Sequence, residues 1–159
     1  MLRAGVIGLG DMGSGLAKNL IKNGIATTGL DLSDERMSAF VEMSGTPAGS
    51  VAELGTNSDA VFVMVMNGVQ AKAVILGDDG LAAHMPKGGA VILTATIKPS
   101  EARDIGAALE GSGIHLIDSP VSGGFPGAQG GTLTMMAAAT SEVLDQYKPI
   151  MGAVSKTIH

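Results

Sequence analysis

Short apolar segments alternate along this chain with longer segments in which apolar residues recur every three or four positions. Uninterrupted apolar runs are typical of strands that helices cover on both faces, and the longer periodicity is typical of amphipathic helices. Their alternation predicts repeated βαβ units, and hence an α/β fold with a mostly parallel sheet and helices on both faces. The predicted strands are residues 2–7, 27–30, 60–65, 90–93, 115–118 and 132–136.

Three of the predicted helices carry signals at their ends. Gly24 is placed to end the first helix, because glycine readily adopts the left-handed conformation found there. Ser33 is the predicted N-cap of the second helix, and Pro99 lies in the first turn of the third. The glycine-rich stretch 123–131 lies between two predicted strands, and we interpret it as a functional loop. The predicted apolar helix faces are Leu16, Ala17, Leu20 and Ile21; Met37, Phe40 and Val41; and Ala102, Ile105, Ala108 and Leu109.

The composition narrows the classes of function. A chain of 159 residues with 45% hydrophobic residues fits one domain, residues 1–159, with a sizeable core. Its net charge of -5, without any run of lysine or arginine, argues against a nucleic-acid partner. The apolar segments are too short to span a bilayer, so we expect no membrane association. The absence of cysteine and the scattering of three histidines predict no metal site and favour a cytoplasmic location.

A glycine-rich motif follows the first predicted strand and directly precedes the first predicted helix. Residues 8–13 match the fingerprint G-x-G-x-x-G, which is typical of Rossmann-type dinucleotide-binding domains when it lies between a strand and a helix. In that mechanism Gly8 permits the tight turn, Gly10 lets the backbone approach a pyrophosphate, and Gly13 allows close packing of the helix. The alternative is a purely structural glycine turn, and the placement of the motif favours the cofactor.

Asp31 ends the second predicted strand, 18 residues after Gly13. A carboxylate at this position can accept hydrogen bonds from the adenosine ribose and would repel a 2′-phosphate. The nearest arginine in the sequence, Arg36, lies five residues further on within a predicted helix, so we expect no arginine beside Asp31. We therefore predict NAD as the cofactor rather than NADP. The alternative is that Asp31 only caps the chain before the next helix.

Two sequence motifs together resemble one family. Residues 5–24 begin Gly-Val-Ile-Gly-Leu-Gly-Asp-Met-Gly, and residues 118–124 read Asp-Ser-Pro-Val-Ser-Gly-Gly, where the family commonly has alanine in place of Ser119. Both are similar to β-hydroxyacid dehydrogenases, the 3-hydroxyisobutyrate dehydrogenase and tartronate semialdehyde reductase group related to 6-phosphogluconate dehydrogenase. The resemblance implies an oxidoreductase that transfers a hydride between a nicotinamide cofactor and a small hydroxyacid.

The resemblance also assigns site residues. Ser122, Gly123 and Gly124 resemble the element that anchors the substrate carboxylate, although a serine at a turn would otherwise need no such role. Further cofactor contacts are implied where strands end, at Val65 and Met66 and at Thr96. The complete set of expected cofactor-binding residues is Gly8, Leu9, Gly10, Asp11, Met12, Gly13, Asp31, Leu32, Val65, Met66 and Thr96.

One part of the family pattern departs from its usual form, and another is missing. Met66 and Asn67 replace a proline-containing turn and look more like the L-threonate dehydrogenase branch, a hint toward four-carbon polyhydroxy acids. The family's general acid/base is a lysine on a C-terminal helical domain, which we expect beyond His159. This chain should therefore contain no catalytic residue and bind cofactor without turnover. The resemblance further implies that the whole protein forms homo-oligomers through that helical domain.

Two other functions stay open at this point. The chain could be a separate dinucleotide-binding or sensing module without catalysis, although a sensor has no need of the motif at 122–124. It could also belong to a related reductase, such as an imine reductase. Those enzymes often carry an arginine near the second strand for NADP, which Asp31 argues against.

Overall fold

The computed structural model describes residues 2–65, 67–94 and 97–158, which form two β-sheets and the helices that connect their strands. None of the described helices is both long and apolar enough to cross a membrane. The described strands are β1 (Arg3–Ile7), β2 (Ala26–Leu30), β3 (Thr46–Pro47), β4 (Ala60–Val63), β5 (Ala90–Leu93), β6 (His115–Asp118), β7 (Val121–Ser122), β8 (Leu133–Met135) and β9 (Ser155–Ile158). The described helices are α1 (Asp11–Lys22), α2 (Asp34–Glu42), α3 (Val51–Thr56), α4 (Gly68–Leu76), α5 (Leu81–His84), α6 (Pro99–Leu109), α7 (Gly124–Gly130) and α8 (Ser141–Val154).

The larger sheet has six parallel strands in the order β3-β2-β1-β4-β5-β6. Strand β1 lies between β2 and β4, so the strand order reverses at this point. This arrangement confirms the predicted Rossmann-type α/β fold. In open sheets of this kind, ligands bind in the crevice beyond the carboxyl ends of the strands, where the order reverses. The topology therefore predicts that a ligand binds at the loops that follow β1, β2 and β4.

Each face of the large sheet carries its own apolar core. Successive residues of β4 alternate between them, with Ala60 and Phe62 on one side and Val61 and Val63 on the other. All four residues are fully buried, as expected for a parallel strand covered on both faces. The first core includes Leu16 and Leu20 of α1, Phe40 of α2, and Tyr147, Ile150 and Met151 of α8; the second includes Leu54, Ala71, Ile75, Leu81, Ile105 and Leu109 of α3 to α6.

The predicted helix ends are confirmed. Gly24 follows α1 in a left-handed conformation, with φ of +78°. The Ser33 side chain caps α2 by accepting a hydrogen bond from the Arg36 backbone N–H at 3.3 Å, and Pro99 is the first residue of α6. The prediction that Val41 faces the core is wrong, since 47% of this residue is exposed and only Phe40 of α2 is buried.

The second sheet was not predicted. Strand β8 was expected in the parallel sheet, as residues 132–136, but it pairs antiparallel with β7 and parallel with β9. The stretch 123–131, interpreted as a loop, forms helix α7. A strand of two residues, such as β7 or β3, shows no periodicity, and a glycine-rich segment has low intrinsic helix propensity. Tertiary packing therefore determines these elements.

Helix α7 packs so closely against α1 that the backbones of the two helices are in contact. A Cβ atom on Gly15 would lie 2.6 Å from the carbonyl carbon of Ala128, so a larger residue would push the two helices apart. Asn19, only 5% exposed, donates from Nδ2 to the carbonyl oxygens of Ala128 at 2.9 Å and Gln129 at 3.0 Å. Carbonyls in the last turn of a helix lack partners within that helix. The Asn19 amide thus caps α7 from the neighbouring helix.

Two fully buried serines differ in how their hydroxyl groups are satisfied. Ser58 donates to the Leu54 carbonyl oxygen at 2.7 Å. Ser119 follows β6, and its backbone N–H donates to the Leu93 carbonyl oxygen at 2.9 Å. Its Oγ atom, however, has no hydrogen-bond partner in the part of the chain that the structure describes. A buried hydroxyl without a partner costs free energy, whereas a satisfied one contributes a modest net stabilisation.

We predict that Ser119→Ala raises the free energy of unfolding by about 1 kcal/mol, because it removes a desolvated hydroxyl that makes no hydrogen bond. The matched variant Ser58→Ala should lower it by about 1 kcal/mol, because a hydrogen bond is lost. Urea denaturation with an unchanged m value measures both effects. A loss of stability in Ser119→Ala as large as that in Ser58→Ala would contradict the assignment.

We predict that Asn19→Ala lowers the free energy of unfolding by roughly 2 kcal/mol, because it opens a cavity and leaves two carbonyls of α7 without their donor. Asn57→Ala provides the control, since the exposed Asn57 side chain makes a local hydrogen bond to Glu53 at 2.9 Å. This control should change stability by no more than about 0.5 kcal/mol. Equal losses in the same denaturation experiment would mean that Asn19 does not join the two helices.

Candidate functional site

The structure explains the three glycines of the motif 8–13 in different ways. Gly8 has φ of +93°, and a side chain there would collide with the Met64 backbone carbonyl oxygen. A side chain at Gly13 would collide with the carbonyl oxygen of Gly8. At Gly10 the backbone is extended, and a Cβ atom would meet nothing described that is nearer than the Arg36 side chain at 3.7 Å. The contact with Met64 and the positive φ therefore require glycine at position 8, and the packing of α1 on the turn requires it at position 13. Neither requirement applies at position 10.

Helix α1 begins directly after this turn, at the edge of the sheet where the strand order reverses. Its N-cap is Gly10, and no described side chain caps this end. The first backbone N–H groups of a helix lack acceptors within it, and they lie at the positive end of the helix dipole. Such an end is suited to an anion, and a backbone without a Cβ atom lets a bulky phosphate come close.

Asp31 lies directly after β2, and its side chain is only 9% exposed. Its Oδ2 atom accepts a hydrogen bond from the Leu9 backbone N–H at 2.7 Å, and its Oδ1 atom accepts one from Ser33 at 2.8 Å. The carboxylate therefore joins the glycine-rich turn to the connection between β2 and α2. A carboxylate has about four acceptor positions, so these two bonds leave capacity for a ligand hydroxyl.

The expectation that no arginine lies beside Asp31 is wrong. The first turn of α2 brings the Nη1 atom of Arg36 to 3.7 Å from the Asp31 Oδ2 atom. The separation of five residues in the sequence gave no indication of this contact. It forms because α2 begins at Asp34, directly after the Ser33 cap, and its first turn returns Arg36 to the end of β2. The argument for NAD that rested on a missing cation therefore loses that premise, while the Asp31 carboxylate itself is present as predicted.

A cavity of about 630 Å³ opens beside these groups, which we call the α1–α2 cavity. The glycine-rich turn and Ser14 line one side of it, and Arg36, Phe40 and Met43 of the α2 region line the other. Its volume lies in the range of small-molecule sites. Leu32, expected to contact cofactor, follows Asp31 with its side chain fully exposed. The cavity combines polar groups with an apolar wall, as ligand sites commonly do.

The remaining predicted cofactor residues are only partly described. Val65 follows β4 and is partly buried, and Met12 of α1 packs against the first core. Met66 and Thr96 lie outside the described residues. Asn67 caps α4 by accepting a hydrogen bond from the Gln70 backbone N–H at 2.9 Å, which accounts for the polar residue that replaces the family's proline-containing turn.

Helix α7 links the predicted substrate segment to the glycine-rich turn. Ser122 pairs with Thr134 in the second sheet, Gly123 has φ of +122°, and α7 begins at Gly124; the Ser122 side chain lies outside the described part. Further along α7, the Gln129 Nε2 atom donates to the backbone oxygen of Asp11 at 3.3 Å. Helix α7, which follows the predicted substrate segment, thus contacts the first turn of α1, which follows the glycine-rich turn.

A second cavity, of about 440 Å³, lies at the edge strand β6. Asp118 and Arg103 line it together with apolar residues that include Ile97 and Leu116. Burial raises the pKa of the Asp118 carboxyl above its ordinary value. Sequence reasoning missed this cavity, although Asp118 is the first residue of the motif at 118–124.

Four lysines of the described part of the chain are exposed or form a surface ion pair. Lys18 and Lys22 are exposed on α1, and Lys156 is exposed on β9. Lys72 forms an ion pair with Asp104, with 3.3 Å between the Nζ and Oδ2 atoms. We therefore assign no catalytic role to these four side chains.

Comparison with known proteins identifies relatives along the whole chain. L-threonate dehydrogenase of Cupriavidus necator is 37% identical over 155 residues, which are 98% of this chain and 52% of that protein. The structure of 3-hydroxyisobutyrate dehydrogenase from Salmonella typhimurium is 32% identical, with a TM-score of 0.94, and the match covers 100% of this chain and 55% of that one. The chain therefore spans about half the length of the relatives that it matches.

A third comparison bears on the cofactor. The structure of Psf3 in complex with NADP+ and 2-OPP is 26% identical, with a TM-score of 0.91, over 98% of this chain and 54% of that one. The family described as the NAD binding domain of 6-phosphogluconate dehydrogenase matches residues 3–159. Together with the fold and the glycine-rich turn, this match confirms the resemblance found in the sequence: the chain belongs to that family of NAD-binding domains, as part of the β-hydroxyacid dehydrogenase group.

Proposed function

We propose that this chain is the cofactor-binding domain of an oxidoreductase that transfers a hydride between NAD and a small β-hydroxyacid. The observation that carries the proposal is Gly10. Packing accounts for Gly8 and Gly13, whereas the side-chain position of Gly10 faces the α1–α2 cavity and no described atom comes nearer than 3.7 Å. A ligand that approaches the backbone at this point gives a reason for glycine that the fold does not.

Groups that line this cavity or lie beside it would hold different parts of the dinucleotide. The N-terminus of α1 would bind the pyrophosphate, since its N–H groups and its dipole both favour an anion. Asp31 would accept hydrogen bonds from the adenosine ribose, and its two backbone hydrogen bonds hold the carboxylate in place for this role. When bound, NAD supplies the hydride acceptor or donor.

The substrate would bind at the segment that directly precedes α7, the helix that packs against α1. We propose that Ser122, Gly123 and Gly124 bind the carboxylate of a small hydroxyacid. This proposal is supported by the resemblance of their motif and by the contact of α7 with the first turn of α1. The L-threonate dehydrogenase relative favours a polyhydroxy acid within this class.

The complete reaction would require more than this domain. Hydride transfer to or from an alcohol carbon also needs a group that accepts or donates the hydroxyl proton. The family resemblance assigns that role to a lysine of a helical domain, which no residue of this chain matches. We therefore propose that residues 1–159 bind cofactor without turnover, and that the whole protein is a cytoplasmic homo-oligomer assembled through the helical domain.

We predict that Gly10→Ala abolishes NAD binding with at most a small loss of stability. The added methyl group meets no described protein atom nearer than 3.7 Å, although alanine is a poorer N-cap than glycine, and it occupies the path of the pyrophosphate. Isothermal titration calorimetry with NAD measures binding, and thermal denaturation measures stability. Gly106→Ala is the matched control, since the nearest atom to its added Cβ is also 3.7 Å away, in Leu116. This control should bind NAD like the parent chain.

The possible outcomes separate the two interpretations of the motif. A purely structural turn predicts that Gly10→Ala and Gly106→Ala behave alike in the titration. If the parent chain itself binds neither NAD nor NADP, the proposed function of this domain is wrong.

A further inference from the structure

Helices α4 and α6 begin side by side at the edge of the sheet where the cofactor is proposed to bind. The preceding strands β4 and β5 pair in parallel, so the connections that leave them end at neighbouring positions. In this fold a dinucleotide lies across two mononucleotide-binding halves of the sheet. Since Asp31 would hold the adenosine ribose, the nicotinamide ring would lie over the other half, at the connections that follow β4 and β5.

The carboxyl group of Glu101 lies between the first turns of these two helices. Its Oε1 atom accepts a hydrogen bond from the Lys98 backbone N–H at 3.0 Å, directly before α6. On the side of α4, a Cβ atom on Gly68 would overlap the same carboxyl group, because its three nearest atoms would be Oε1, Oε2 and Cδ of Glu101. The carboxyl group therefore occupies the space that a side chain at position 68 would need.

The conformation of the backbone does not account for glycine at position 68. Gly68 is the first residue of α4, and its φ is not in the left-handed region where glycine is favoured. Glycine is also a poor helix former, so the helix itself would be better served by a residue with a side chain. The Glu101 carboxyl group supplies the reason for glycine, and the dipoles of both helices favour a carboxylate at this point.

A second contact between α4 and α6 lies one turn further along both helices. The ion pair of Lys72 with Asp104 lies there, and 66% of the Asp104 side chain is exposed. Residues 68 and 72 share one face of α4, as residues 101 and 104 share one face of α6. This exposed pair joins the helices away from the sheet edge and contributes little to stability. Glu101, in contrast, joins them where the connections from β4 and β5 end.

We propose that Glu101 and Gly68 are positioning residues, which hold the connections after β4 and β5 in the arrangement that binds the nicotinamide ring. Val65, a predicted cofactor residue, lies in the first of these connections. The inference rests on the proposed binding of a nicotinamide dinucleotide, and Glu101 acts through the two connections without contacting the cofactor. Loss of its carboxyl group should therefore weaken the binding of NAD but not of ADP-ribose, which lacks the nicotinamide ring.

The test is a double-mutant cycle of the parent chain, Gly68→Ala, Glu101→Ala and the double variant, each titrated by calorimetry with NAD and with ADP-ribose. We expect Glu101→Ala to weaken NAD binding at least about fivefold and to leave the affinity for ADP-ribose unchanged. Gly68→Ala should have the same effect, since its methyl group displaces the carboxyl group. The double variant should lose no more than Glu101→Ala alone, because both changes remove one interaction.

Asp104→Ala is the matched control, because it removes an equal charge from the same face of α6 and should leave both affinities unchanged. Thermal denaturation verifies folding, and if Glu101→Ala does not fold, Gly68→Ala alone decides. Equal losses of affinity for NAD and ADP-ribose, or no loss for either, would overturn the positioning role. A parent chain that binds NAD no more tightly than ADP-ribose would also overturn it.

These outcomes are separate from a failure of the proposed function. NAD binding by the parent chain supports that function whatever the variants at positions 68 and 101 do. If the parent chain binds neither NAD nor ADP-ribose, both proposals are wrong.

Discussion

The close approach of helix α1 to strand β1 is the constraint on which the rest of the molecule depends. Gly8 and Gly13 meet at a distance that excludes any Cβ atom, so the helix can begin almost at the end of the strand. Its uncapped N-terminus then opens at the point where the strand order of the sheet reverses. Because the same turn leaves Gly10 facing a cavity, one packing requirement produces both the fold and the proposed position for an anion.

The same helix also organises the second half of the proposed site. Gly15 lets α7 approach at backbone distance, and Asn19 caps the end of α7 with hydrogen bonds of 2.9 and 3.0 Å. At the other end, Gln129 contacts the backbone of Asp11. The contacts of α7 with α1 therefore hold the segment that precedes α7 in place relative to the glycine-rich turn. This arrangement supports the proposal that the two sequence motifs, far apart in the chain, contribute to one site.

The connection between β2 and α2 adds the third component, which is charge. Asp31 is held rigidly by two backbone N–H groups, whereas Arg36 is held only loosely, over the glycine-rich turn. A substitution of either residue would change the balance of negative and positive charge beside the cavity. A related structure that is 26% identical is a complex with NADP+, so the family relationship alone does not decide the cofactor of this chain.

The sequence by itself determined the parallel sheet, its buried strands and the glycine-rich turn, because these features depend on local periodicity and on backbone conformations that only glycine adopts. It also predicted the position of Asp31 at the end of the second strand, at a regular distance from the glycine-rich turn. Only the tertiary structure decided the second sheet, helix α7 and the position of Arg36 beside Asp31. Strands of two residues and a glycine-rich helix are stabilised by contacts with residues distant in sequence, such as Gly15 and Asn19. Local sequence patterns do not indicate such contacts, because the contacts form, and stabilise these elements, only when the chain has folded.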